Sequence, residues 1–89
     1  MNTLQDLIRC QSATSTELVQ LLDSFRSADQ PQIRLDHFKR KAISVLSDIE
    51  PYREGRTYRF PRREACLLVM SYSYDLQAAI YDLLAAKRR

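Results

Sequence analysis

The stretch PYREGRTYRFPRRE, residues 51–64, holds the only glycine of the chain, Gly55, and five of its fourteen Lys and Arg residues. Three aromatics, Tyr52, Tyr58 and Phe60, are interleaved with the arginines. Pro51 stops the helical pattern that precedes it. Beyond it the apolar period drops to roughly 2, so Tyr58 and Phe60 share one side and Arg59 faces solvent. Tyr52 and Thr57–Phe60 then read as two short strands around a turn at Gly55, where a positive φ costs glycine little. Pro61 falls at a helix start, where its missing N–H is not needed.

Upstream the period is helical. Residues 35–49 place Leu35, Phe38, Ala42, Val45, Leu46 and Ile49 on one stripe at about 100° per residue. His37, Arg40, Lys41 and Ser44 lie on another face of the same helix. Before it, Thr14 and Glu17 form a capping box, and Leu18, Leu21, Leu22 and Phe25 follow at i, i+3, i+4, i+7. Leu4, Leu7 and Ile8 predict a first short helix capped by Asn2. Downstream, Ala65, Leu68 and Val69 mark a fourth helix. Ser73 caps a fifth, with Leu76, Ile80, Leu83 and Leu84 as its apolar stripe. Asp75 in the first turn and Lys87, Arg88 and Arg89 in the last suit the helix dipole.

Three helices followed by a basic hairpin and two more helices predict a mainly α domain with a small β-hairpin, of winged helix-turn-helix-like plan. The 89 residues predict one domain spanning 1–89. The gap of about nine residues between the second and third helices exceeds the ~3–4 of a tight helix-turn-helix.

Composition narrows the function. No apolar run approaches the ~18 residues of a membrane span, and the N-terminal ten residues do not form a secretory signal. Cys10 and Cys66 form no CxxC motif and read as reduced, small apolar residues of a cytosolic protein. His37 is the only histidine, and no nucleophile, base and orienting group can be assembled around it. One glycine cannot build a phosphate-cradling loop. The expectation is a chain that is not an enzyme and uses no metal and no cofactor.

Charge points to a polyanion. The net charge is +3, and it is uneven: residues 1–33 carry two basic and four acidic groups, residues 34–89 twelve and seven. A helix presenting His37, Arg40, Lys41 and Ser44 fits the major groove, where Arg and Lys pair with guanine edges. A hairpin carrying Arg53, Arg56 and Arg59 can reach phosphates or a minor groove. Double-stranded DNA is therefore the expected partner. Asp36, Asp48 and Glu54 would repel phosphate, which keeps a protein-interaction module open as the alternative. Tyr74 and Tyr81, opposite the stripe of the last helix, predict a homodimer through that helix.

The run GRTYRFPRREACLLVMSYSYDLQAAIYDLL, residues 55–84, also resembles a segment of phage regulatory proteins of the Rha type. Tyr58, Pro61, Arg63, Glu64, Leu68, Tyr72, Ser73, Leu76, Ala78, Ile80 and Asp82 fall on the family's Y-x-L-P-K-R-E and S-Y-S-x-x-L-x-A-x-I-x-D pattern. TSTELVQLL is similar to its T-S-x-x-I-A-E-L helix, and DHFKRKAISVLSDI to its H-x-x-V-x-R-D-I helix, with His37 in the place of the histidine. Family members usually have glycine where Ser71 stands and often tryptophan where Leu83 or Leu84 stands. The resemblance implies a phage or prophage regulator in the cytoplasm of a host bacterium. Its role would be DNA binding in transcriptional regulation, or antirepression through a phage repressor or host protein. Because family proteins often continue into a further C-terminal region, it also implies a short stand-alone version or one domain of a longer protein.

Overall fold

A computed structural model describes residues 2–87. In chain order it contains α1 (Leu4–Arg9), β1 (Ser12–Thr14), α2 (Ser15–Asp23), α3 (Leu35–Leu46), a 3₁₀ turn (Glu50–Tyr52), β2 (Arg53–Glu54), β3 (Thr57–Pro61), α4 (Arg62–Met70) and α5 (Tyr74–Lys87). The three strands form one antiparallel sheet in the order β1-β3-β2. A mostly helical chain with this sheet is compatible with a winged helix-like fold. Arg88 and Arg89, expected in the last turn of α5, lie outside the described residues.

The expected hairpin gains a third strand. Ser12, Ala13 and Thr14 pair with Pro61, Phe60 and Arg59. Thr14 has two roles that overlap in the sequence. It ends β1, and its hydroxyl caps α2 by accepting the Glu17 N–H at 3.2 Å while Glu17 accepts the Thr14 N–H at 2.9 Å. The capping signal is strong and the strand has three residues, so only the cap is legible in the sequence.

Helix ends differ from expectation in three places. Thr3, rather than Asn2, caps α1, in a second capping box with Asp6. α2 stops at Asp23, so Phe25 stands beyond it and is 48% exposed. α3 stops at Leu46, well before Pro51, because Ser47 takes a positive φ of 71°. Ile49 is buried, but it comes from the turn after α3, and Leu35 and Val45 are 53% and 36% exposed. The apolar stripe of α3 is narrower than its spacing suggests, with only Phe38 and Ala42 fully inward. Residues 24–34, between α2 and α3, form an ordered loop tied back to α2. Asp23 accepts the Ile33 N–H at 3.0 Å and pairs with Arg26 at 3.3 Å.

The hairpin matches its reading closely. Arg53 pairs with Tyr58 and Glu54 with Thr57, leaving Gly55 and Arg56 as a two-residue loop. Gly55 has φ +64° and Arg56 does not share it, the pattern of a type II′ turn. Tyr58 and Phe60 are buried and Arg59 is exposed. Tyr52 belongs to the 3₁₀ turn instead of a strand. Pro61 is both the last strand residue and the N-cap of α4.

An aromatic cluster joins these parts. Phe60 meets Phe38 edge-on at 6.4 Å, Tyr52 at 5.3 Å and Tyr58 at 6.3 Å, and Tyr72 stacks on Phe38 at 6.4 Å. The cluster fixes the hairpin against α3 and against the junction of α4 and α5. Leu7, Leu18, Leu21, Leu68, Val69 and Ile80 complete the core around it. Among the described residues no helix is long and apolar enough to cross a membrane.

Candidate nucleic-acid interface

Phe38 and Ala42 fix the rotation of α3, because they point into the core. At 100° per residue, Arg40 then lies opposite them, with His37 and Ser44 beside it on one side. All three are exposed. Lys41 is exposed too but leans to one flank, its ammonium 5.4 Å from the centre of the Tyr72 ring. Lys39, which the face reading left out, leans to the other flank, 5.6 Å from the Tyr58 ring. Its partner ring is set by strand register, so the spacing within α3 carries no signal for it.

The three hairpin arginines are not equivalent. Arg53 grips Glu50 with two hydrogen bonds of 2.8 and 2.9 Å, donates to the Tyr58 hydroxyl at 3.0 Å and lies over that ring. Arg59 donates to Glu54 at 2.8 Å and to Ser12 Oγ at 3.2 Å. These bonds raise both guanidinium pKa values further, and the hydrogen bond from Arg53 lowers the Glu50 carboxyl below its ordinary range. Both arginines are therefore already paired with a carboxylate. Arg56, in the loop with Gly55, makes no ion pair or hydrogen bond among the described residues.

Residues 34–59, which include α3 and the hairpin, carry seven Lys and Arg groups against four carboxylates. Asp36, on the α3 surface, faces Arg34 at 3.7 Å. No family model, no curated protein and no solved structure matches the chain. The face offers exposed cations and a hydroxyl on a helix, beside a hairpin whose tip holds an unpaired guanidinium.

The other singled-out residues lie elsewhere. Cys10 and Cys66 are not disulfide-bonded, the Cys10 thiol donates to the Leu7 carbonyl at 2.9 Å, and burial pushes both thiols up, away from the reactive thiolate. Among the described residues no group of three or more His, Cys, Asp or Glu that could hold an ion occurs, at His37 or elsewhere. On α5, Ile80 is buried and Leu76, Leu83 and Leu84 pack against the core, while Tyr74 is 89% and Tyr81 58% exposed.

Proposed function

We propose that this chain is a transcriptional regulator that binds double-stranded DNA, with α3 against base edges and the hairpin against phosphate. The observation that carries this reading is the division of charge just described. Arg40 stands opposite the core side of α3, and Arg56 stands unpaired at the tip of a hairpin that the aromatic cluster holds beside that helix. A helix of this kind fits the major groove, and a lone guanidinium at a loop tip meets phosphate. The resemblance to phage regulators of the Rha type gives the biological setting of the proposal, a phage or prophage regulator in the cytoplasm of a host bacterium. A homodimer through α5, with Tyr74 and Tyr81 outward, would suit paired half-sites.

A second reading is favoured by one observation. Glu50 and Glu54 already neutralise Arg53 and Arg59, which leaves less positive charge than the sequence count suggests. A protein-interaction module, such as an antirepressor that binds a repressor or host protein, needs no more than a solvated basic face. Fluorescence anisotropy with a random duplex separates the two. The DNA reading requires binding at 50–100 mM salt, where roughly micromolar non-specific affinity is expected. A flat titration of folded protein at that salt would transfer the assignment to the interaction module.

A further inference from the structure

We propose that the cavity between α3 and the hairpin is a binding site for a small one-ring organic anion of the aromatic carboxylate class. The cavity measures about 210 Å³ and is walled by the N-terminus of α2, the first two turns of α3 and the hairpin. Its apolar wall combines three rings, Phe38, Tyr58 and Phe60, with Leu35, Ala42 and Ile49. A wall of rings favours offset or edge contacts with another ring. At protein packing density this volume holds about a dozen non-hydrogen atoms. That is below the ~300–1,000 Å³ of drug-sized sites, which excludes a nucleotide and admits a benzoate-sized ligand.

The polar side of the cavity selects an anion. Lys39, Arg53 and Arg56 stand in its wall. One carboxylate, Asp36, also stands in the wall, where it faces Arg34 at 3.7 Å, and a second, Glu50, lies close and is held by Arg53. Glu50 also lies within Coulombic reach of Lys39. Neither Lys39 nor Arg56 forms an ion pair among the described residues. Deeper in the same wall, Ser15 Oγ and Thr57 Oγ1 share a hydrogen bond of 2.6 Å, and Ser15 Oγ also accepts the Tyr58 N–H at 3.4 Å. Whichever hydroxyl donates, one O–H hydrogen of the pair is left without an acceptor among the described residues. Ser15 is itself buried. A spare donor beside unpaired cations, over a base of rings, is complementary to a carboxylate attached to a ring.

The inference stands apart from the DNA reading, because its test uses the free protein. Sodium benzoate is titrated into the ¹⁵N-labelled chain at constant ionic strength and followed by amide chemical shifts, with benzyl alcohol as the neutral control. Saturable shifts are expected at Ser15, Lys39, Thr57 and Tyr58, with a Kd of about 1–10 mM, ordinary for a ligand of nine heavy atoms. Benzyl alcohol is expected to bind about 5-fold more weakly, the upper range for an exposed ion pair. Lys39→Gln, on the surface, should weaken benzoate about 3- to 5-fold and leave benzyl alcohol unchanged. Ala42→Leu fills the cavity and should abolish both, provided its melt stays cooperative; should that variant fail to fold, Lys39→Gln decides alone. Equal affinity for benzoate and benzyl alcohol would overturn the anion site and leave only an apolar hole. Shifts spread over the basic surface without saturation, or none at all, would overturn the site altogether.

Discussion

Replacing Arg56 by alanine removes the one hairpin guanidinium that has no internal partner. For duplex DNA, each neutralised phosphate contributes about −0.9 to the slope of log K against log salt. Three or four contacts from the hairpin tip and α3 give a slope of roughly −2.7 to −3.6, so affinity should fall about 40- to 150-fold between 50 and 200 mM salt. Arg56→Ala should flatten the slope by about 0.9, and should do so equally on all sequences. The matching control removes a paired arginine together with its acid. Glu54→Gln with Arg59→Gln deletes a 2.8 Å ion pair at no change in net charge, and should leave the slope within about 0.3 of the parent. Anisotropy titrations at four or more salt concentrations read both. If Arg56→Ala leaves the slope unaltered, the hairpin tip does not meet phosphate. If the Glu54/Arg59 pair matters as much as Arg56, the arginine leaves its carboxylate on binding and the division into paired and unpaired cations is wrong.

Arg40→Ala should narrow the gap between specific and random duplex by about 1–3 kcal/mol, in contrast to the uniform loss at Arg56. Gly55→Val should cost about 1 kcal/mol or more, read as a Tm drop of about 4–8 °C. Nothing lies within 4 Å of the added Cβ, so the cost is the positive φ alone and Gly55→Asn should lose less. Ser47→Gly should instead raise Tm, since strain of about 1–3 kcal/mol at φ 71° outweighs the ~0.4–1 kcal/mol entropy cost of glycine. Sedimentation at tens of micromolar, above an expected micromolar Kd, should show a dimer that Tyr74→Ser with Tyr81→Ser dissociates. A parent species of 10.4 kDa there would remove the α5 interface.

The sequence carried the helices and the hairpin through local signals: the Thr14–Glu17 capping box, the i, i+3, i+4, i+7 apolar spacing, a switch of period after Pro51, and one glycine at a position that needs positive φ. It hid β1, because three residues have too little period to compete with the cap that Thr14 also serves. It overextended α3, because Ile49 does enter the core, but from the turn after Ser47 and not from the helix. Of the site, residue type and face were legible, and Arg40, His37 and Ser44 do share the outward side. The pairing of Arg53 with Glu50 and of Arg59 with Glu54 was not. It depends on side-chain geometry three and five residues apart across a turn, where no periodicity announces it.

The aromatic cluster makes core packing and recognition one problem. Phe60 lies on the central strand, is fully buried, and touches both Phe38 of α3 and Tyr58 of the hairpin. The inward side of Phe38 fixes which way Arg40 points, and the register of Tyr58 with Arg53 fixes where Arg56 projects. A change at Phe60 therefore acts on the angle between helix and hairpin as well as on stability. Phe60→Leu keeps most of the apolar volume and loses the ring contacts, each worth about 0.5–1.5 kcal/mol. Such a protein would stay folded on a core of this size while its two basic elements lose their fixed spacing. A duplex that needs both elements at once would then lose more affinity than the melt indicates, and a partner that reads only one of them would not.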